Sequence, residues 1–185
     1  MNRPIALSTE SGCALAIGPF PRFRYDASGG GGLSRPAEPR AEEWQTLWFD
    51  AASLRIPPLS SRTTRLLGLP LPPGLRIAIA PERLEGRWHP TNGAVELTFA
   101  ARFHLLVAER IVAPALVVST QLATGTSRGR RHQECGRPLD GQGRGVLVGI
   151  ATVPPTGEGW LDRFLGLPDE ALAVLQCRFL AAEHP

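Results

Sequence analysis

The chain has 185 residues and carries 20 basic and 17 acidic side chains, which gives a formal net charge of +3. A chain of this length fits one domain and buries roughly 70% of its unfolded surface, so it needs neither disulfides nor a metal to fold. Every basic residue is an arginine. The small net charge argues against a dedicated nucleic-acid-binding protein.

Three widely spaced cysteines, Cys13, Cys135 and Cys177, form no CxxC pair. Their odd number argues against a disulfide framework and favours a reducing compartment. No run approaches the roughly 18 apolar residues of a membrane span, and the N-terminal segment has polar residues where a signal peptide would be apolar. We therefore predict a soluble, cytoplasmic protein.

In the first quarter of the chain the strand signals are weak, and one loop is predicted to be flexible. Residues 20–27 and 44–56 are candidate strands, and residues 1–27 are expected to return and pair with the main sheet. Between them, residues 28–43 read SGGGGLSRPAEPRAEE. This Gly/Pro-rich composition cannot bury apolar surface and predicts a flexible loop.

The clearest strand signals lie in the middle of the chain. Residues 75–80 alternate Leu, Ile and Ile with smaller or charged residues, and residues 96–107 place apolar side chains on every second position. Such alternation is typical of half-buried strands. An Asn-Gly pair at 92–93 supplies a hairpin turn, so residues 83–107 predict one β-hairpin.

The last third predicts two more strands, one short helix and one ambiguous segment. Residues 115–124 and 145–153 are β-branched or continuously apolar, as in buried strands. Residues 159–168 have apolar residues at helical spacing and then a proline, which predicts a short amphipathic helix. Residues 171–182 fit either a helix or a strand, and the alternation within them favours a strand.

Together these elements predict an all-β fold of a single domain over residues 1–185. Short strands separated by Gly/Pro turns are typical of an antiparallel β-sandwich or a partly closed barrel, here with one or two short helical plugs. Continuous apolar strands favour two packed sheets. A long Arg/Gly-rich hairpin loop at 125–145 would join two of the strands.

That loop is the first candidate site. It contains five arginines: Arg128, Arg130, Arg131, Arg137 and Arg144. As an electrostatic arm they could neutralise phosphates of a nucleic acid or another anion. Three observations argue for a solvated loop whose arginines pair with nearby acids: no aromatic residue interleaves with them, the net charge is low, and such pairing needs no ligand.

The same loop holds His132 and Cys135, three residues apart. A structural zinc needs four ligands, and no second pair of this kind is visible. A reactive Cys135 near arginines is a further alternative. The sequence contains no G-x-S-x-G, P-loop, H-E-x-x-H or dinucleotide motif. No catalytic residue, metal ligand or cofactor is therefore predicted.

The aromatic residues suggest a pocket. Trp88, Phe99 and Phe103 lie in the predicted hairpin, and Trp160 lies in the predicted helix. An apolar interior capped by short plugs can hold a lipid or pigment, whereas the alternative is that these side chains fill a core.

The leading hypothesis is a non-enzymatic binding or assembly-accessory protein that uses a surface or a modest apolar pocket. Its partner would be another protein or a small apolar ligand. One alternative is an anion- or nucleic-acid-binding module built on the loop arginines. Another is an enzyme whose site assembles only in three dimensions, with His104, His132 and Cys135 as first suspects. The sequence matches no family signature, and it does not define an oligomeric state.

Overall fold

A computed structural model of the chain describes residues 3–36 and 43–182. The strands in the first half are β1 (Ile5–Thr9), β2 (Cys13–Ile17), β3 (Phe23–Tyr25), β4 (Gly31–Leu33), β5 (Gln45–Phe49), β6 (Thr64–Leu66), β7 (Leu69–Pro70) and β8 (Leu75–Trp88). Those in the second half are β9 (Val95–Val107), β10 (Arg110–Ile111), β11 (Leu116–Ala123), β12 (Thr126–Arg128), β13 (Gln133–Cys135), β14 (Arg144–Val153) and β15 (Asp169–Ala181). A 3-10 turn spans Ala51–Ser53, and helix α1 spans Gly159–Leu165.

Thirteen of these strands form one antiparallel sheet. The main path runs β5-β8-β9-β11-β14-β15-β2-β3-β6-β7, and β12 and β13 form a separate two-stranded ribbon. The prediction of an all-β antiparallel fold with a short helix is confirmed. The strands share one continuous, strongly bent sheet, which is not closed into a barrel.

The predicted hairpin is longer than the sequence pattern suggested. Strand β8 pairs with β9 from Leu75 opposite Val107 to Trp88 opposite Val95, with a bulge between Pro81 and Arg83. Because a bulge inserts one extra residue, it changes which alternate positions face inward. The two short alternating runs at 75–80 and 83–88 are therefore one bent strand.

The ambiguous C-terminal segment is a strand, and it is the hub of the sheet. Along one edge, β15 pairs with β14 from Asp169 to Arg178. Along the other edge, its first half pairs with β2 and its second half with β1. This arrangement brings residues 1–27 back into the main sheet, as their sequence had suggested.

Residues 28–43 were predicted to be flexible, but the described part of this loop is built into the sheet. Strand β4 pairs with β1, and Ser34 forms a bridge with Phe49 of β5. At Gly31, which has φ of 130°, a Cβ atom would collide with the carbonyl oxygen of Leu7. The glycines thus allow close backbone approach rather than mobility. Residues 37–42 lie outside the described residues.

The antiparallel register places strand ends at two opposite ends of the molecule. One end, here called the floor, holds the β8–β9 turn and a packed core that includes Leu47, Phe49, Val95, Leu97 and Phe179. The other end, here called the mouth, holds α1, the β2–β3 turn, the β6–β7 turn and the β9–β10 turn. Within residues 3–36 and 43–182, no helix has both the length and the apolarity to cross a bilayer.

Candidate functional site: an apolar cavity inside the bent sheet

The bent sheet encloses a cavity of about 490 Å³. Alternate residues of its strands line the wall, so side chains of one strand face reach the interior. On β9 and β11 these residues are Leu97, Phe99, Phe103, Leu105, Leu116, Val118, Thr120 and Leu122. The wall of β8 is lined by Leu75, Ile77 and Ile79 before the bulge and by Leu84 after it, which follows the change of face.

The opposite wall comes from β14, β15, β2, β3 and β6. Its residues include Leu147, Ala151, Ala171, Leu175, Leu15, Phe23 and Leu66. Several lining side chains are only half-buried, although they point away from the outer surface; Ile77, Ile79, Phe103, Leu105 and Val118 are of this kind. The interior is therefore incompletely filled by the protein's own side chains.

The polar groups of the wall are already hydrogen-bonded within the protein. The hydroxyl of Thr9 donates to Ala27 O at 2.7 Å, and that of Thr120 donates to Ile150 O at 2.8 Å. The hydroxyl of Tyr25 donates to Pro57 O, and burial raises its pKa far above the usual range. Thr64 Oγ1 lies 3.2 Å from Thr63 Oγ1. These lining hydroxyls are therefore not free to donate to a ligand.

The remaining polar or charged lining groups are few. Cys177 lies at the boundary between cavity and floor, is 1% exposed, and its Sγ lies 3.6 Å from Gly145 O. Burial raises the pKa of this thiol to about 12, so it stays protonated at neutral pH. Arg55, in the segment after the 3-10 turn, is the one charged residue of the wall in the described part of the chain.

Helix α1 lies at the mouth, and its apolar side chains differ in how far they are buried. Leu161 is buried and anchors the helix, whereas Trp160 and Phe164 line the cavity and are still 46% and 64% exposed. The ring of Phe164 lies 5.3 Å from that of Phe20 in the β2–β3 turn. These aromatic side chains therefore border the opening.

The four aromatic residues predicted from the sequence to form a pocket divide in two. Phe99, Phe103 and Trp160 line the cavity. Trp88 does not; it packs against the core of the floor, and its indole nitrogen is buried without a hydrogen-bond partner in the described residues. The difference follows from position, because Trp88 ends β8 next to the β8–β9 turn.

The second predicted site, the arginine loop, forms the β12–β13 ribbon, which lies along β14. The hydroxyl of Ser127 donates to Val148 O at 3.4 Å, and Gly136 donates its N–H to Gly125 O at 2.8 Å. The tip of the ribbon reaches the first residues of β15 at the mouth. There the Arg131 Nε donates to Asp169 at 2.7 Å.

Two buried carboxylates hold the ribbon tip. Glu170 accepts the backbone N–H of Arg131 at 2.8 Å and that of Arg130, and these bonds lower its pKa. The hydrogen bond from Arg131 is the main cause of the lowered pKa of Asp169, with the N–H of Glu170 second. At Gly129 a Cβ atom would lie 2.7 Å from both carboxylate oxygens of Glu170, so a larger residue there would displace this carboxylate.

The structure separates the five candidate arginines. Arg128, Arg130 and Arg131 lie at the ribbon tip, where Arg130 is 3.9 Å from Asp169. Arg137 forms a backbone bridge with Val146, and Arg144 begins β14 near the floor, 3.8 Å from Glu10. Arg131 is thus paired with an acid, and the set is not gathered around one anion site.

The histidine and cysteine candidates form no cluster with one another. Cys135 is exposed and accepts a hydrogen bond from Thr126 Oγ1 at 3.5 Å. The Nε2 of His132 is buried without a hydrogen-bond partner in the described residues, and His104 lies on β9 opposite Ala78. In residues 3–36 and 43–182 no group of three or more His, Cys, Asp or Glu side chains has the arrangement of a metal site.

Comparison with protein-family models, with characterised proteins and with solved structures found no significant match.

The sequence predicted the strands that form the cavity wall, but for most of these residues it did not predict that they line a site. The alternating faces of residues 75–79, 97–105 and 116–122 were visible as buried faces. Alternation reports which face is apolar, but it does not tell a filled interior from an empty one.

Proposed function

We propose that this chain is a non-enzymatic binding protein for a lipid or similar amphipathic molecule, whose hydrocarbon part occupies the cavity. The observation that carries the proposal is an interior of about 490 Å³ walled almost entirely by apolar side chains. Pockets for small ligands usually span roughly 300–1,000 Å³, which includes this size.

The physical driving force is the half-buried apolar wall. Each square ångström of apolar surface removed from water contributes about 25 cal/mol. A hydrocarbon chain would cover side chains such as Phe103, Leu105 and Val118, which the protein leaves partly accessible within its own interior. The free energy of binding would therefore come mainly from burial of these side chains.

The wall also restricts the chemistry of the buried part. A carboxylate or phosphate deep inside would leave water without gaining donors, because the hydroxyls of Thr9, Tyr25 and Thr120 already donate to backbone carbonyls. The one charged lining residue, Arg55, is exposed and so favours an anionic group only where that group stays in contact with water. The buried part should therefore be plain hydrocarbon, and the polar end of the ligand should stay at the mouth, in contact with water.

The alternatives have less support. An anion-binding module would need the loop arginines together and unpaired, but Arg131 is bound to Asp169, and Arg144 lies near the floor. An enzyme would need a nucleophile, base or metal to converge, and His104, His132 and Cys135 share no hydrogen bond in the described residues. A reducing, cytoplasmic location stays a prediction that the three free cysteines support.

The first test is native mass spectrometry of the protein purified at low salt without detergent. We expect an added mass on the order of a few hundred daltons, the range of ligands that fit such pockets. Solvent extraction should remove it, and a dansylated long-chain fatty acid should then bind. If neither the adduct nor binding of the dansylated probe is seen, the proposal is wrong.

A pair of variants localises the binding. Val118→Trp places a large side chain in the cavity, whereas Val117→Trp on the same strand faces outward, where Val117 is 41% exposed. We expect at least a tenfold loss of probe affinity for the first variant and less than a twofold change for the second. Equal losses would show that the probe binds elsewhere.

A further inference from the structure

The exposed apolar side chains of this protein are concentrated at one end. Most of the large apolar residues that are well exposed lie in the mouth turns or in α1. We define the apolar rim as Leu67, Leu69, Ile111, Val112, Trp160 and Phe164, whose exposures range from 41% to 77%. Large contiguous apolar surface on a soluble chain usually marks an interaction site.

The register of the sheet places these rim residues on one edge of the cavity opening. Leu67 and Leu69 follow Leu66, which pairs with Phe23, and Ile111 pairs with Leu106 near the end of β9. Ala108 donates its N–H to Gly74 O at 3.0 Å, which joins the β9–β10 turn to the start of β8. The rim is thus continuous with the lining of the cavity.

Two rim turns are built against local preference. The β6–β7 turn has Leu67 at φ 51° and Gly68 at φ 82°, and the β9–β10 turn has Ala108 at φ 47° and Glu109 at φ 62°. Two-residue turns with positive φ at both positions favour Asn-Gly or Asp-Gly. Leu67 is thus a leucine that is 77% exposed at a position where the backbone favours asparagine or glycine.

The mouth also carries a net positive charge. Segments 18–24, 64–76, 107–116, 128–134 and 154–170 together contain nine arginines and six acidic residues, whereas the rest of the chain has equal numbers of basic and acidic residues. Buried or ion-paired groups account for several of these acids, because Arg131 holds Asp169 and Arg22 pairs with Glu134 at 2.6 Å. Arg24, Arg65, Arg110 and Arg163 have no acidic partner within the described residues.

We propose that the mouth docks on the surface of an anionic lipid bilayer, with the apolar rim inserted among the acyl chains and the unpaired arginines against the headgroups. The combination of an apolar edge with flanking arginines is the charge and polarity pattern of interfacial membrane binding. The cavity then opens directly onto the bilayer. Only the cargo rests on the proposed function; docking itself is carried by the rim and the arginines.

The test is flotation of the full chain with vesicles of phosphatidylcholine alone and with vesicles containing phosphatidylglycerol. We expect binding to the anionic vesicles and at least tenfold weaker binding to the neutral ones. Binding should weaken as salt is raised, because exposed charges are screened beyond a Debye length of about 10 Å at 0.1 M. Absence of binding to either vesicle would overturn the proposal.

Matched variants separate the mouth from the rest of the surface. Phe164→Ser and Leu67→Ser should each weaken vesicle binding at least fivefold, whereas Leu33→Ser and Leu180→Ser remove apolar residues of 49% and 43% exposure outside the rim and should leave it unchanged. Arg163→Gln and Arg110→Gln should each weaken it about fivefold, and Arg3→Gln near the floor should not.

Melting temperatures of all variants confirm that each is folded. Equal loss from the rim and control variants would overturn the proposal. A concentration-dependent dimer would also overturn it if Phe164→Ser dissociates that dimer and vesicles fail to bind. The rim would then be an interface with a second copy of the chain. Probe binding in solution by a protein that ignores vesicles leaves the proposed function in place and rejects only the docking.

Discussion

The floor and the mouth of the cavity are built from the same kinds of apolar side chain, but these side chains are buried at the floor and exposed at the mouth. At the floor, Phe49 is 2% exposed and Leu97 is fully buried, whereas at the mouth Phe164 is 64% exposed. Both ends are made by short turns between strands of one sheet. The comparison teaches that the apolar side chains of the floor are fully packed, whereas several of those at the mouth stay accessible for binding.

The largest effect should come from emptying the floor. Phe49→Ala removes a buried ring from the core that closes the cavity, and such truncations lower the free energy of unfolding by about 3–5 kcal/mol. Phe164→Ala, at the mouth, should change it by less than about 0.5 kcal/mol. Chemical denaturation of both variants measures the difference. Equal destabilisation would mean that the mouth is packed in solution.

The next effect is stabilisation by ligand. A ligand at a concentration 100 times its Kd stabilises the folded state by about 2.7 kcal/mol. We expect the dansylated fatty acid to raise the Tm of delipidated protein accordingly, and Val118→Trp to abolish this rise. Val117→Trp serves as the control and should keep the full rise. A rise that survives in Val118→Trp would place the ligand outside the cavity.

A substitution in the β6–β7 turn should have a smaller effect: it should stabilise the fold and at the same time weaken vesicle binding. Leu67→Asn should raise the free energy of unfolding by about 0.5–1 kcal/mol, because asparagine tolerates positive φ better than leucine. The same substitution should weaken vesicle binding at least fivefold, since the exposed leucine is lost. Denaturation and flotation of one sample measure both quantities. Weaker folding together with unchanged docking would contradict the role assigned to the rim.

The smallest effect on overall stability should be the pH dependence of the ribbon. The pKa values of Asp169 and Glu170 are lowered in the folded state, mainly by the Arg131 side chain and the Arg131 N–H respectively. Their contribution is fully present above the ordinary carboxyl pKa of about 4 and is lost as the pH falls through the lowered values.

Hydrogen exchange of the Arg130 and Arg131 amides measures this contribution. Relative to floor amides, their protection should decrease as the pH falls below about 4. Glu170→Gln keeps one acceptor oxygen but has no charge to lose, so its ribbon should respond less to pH. A ribbon of unchanged protection in acid would show that the two carboxylates do not hold it.

Much of the fold was accessible from local pattern. The inward faces of β9 and β11 follow directly from alternation at 97–105 and 116–122, and the turn at Asn92-Gly93 set the hairpin. The bulge near Pro81 was not recognised, although the change from odd to even apolar positions between Ile79 and Leu84 records it. The single sheet was not predicted, because pairing of β15 with both β1 and β2 depends on contacts distant in sequence.

The candidate site was much less accessible. An apolar residue facing an empty interior has the same pattern as one in a filled core, so Phe103 and Leu97 look alike in the sequence. The role of glycine at 28–33 was misjudged for a related reason: Gly31 is required by the nearby Leu7 carbonyl oxygen, which no local composition reveals. The arginine loop attracted attention by composition, whereas buried Asp169 and Glu170 position it.

The rate at which Cys177 reacts with a thiol reagent can report on motion inside the molecule. Its thiol is enclosed where the floor meets the cavity and is held protonated by burial. Reaction with a thiol reagent therefore requires transient opening of this region, and the rate of labelling reports how often that opening occurs. Exposed Cys135 in the same chain provides the unrestricted rate for comparison. A bound hydrocarbon chain that holds the two walls together should slow the labelling of Cys177 and leave that of Cys135 unchanged.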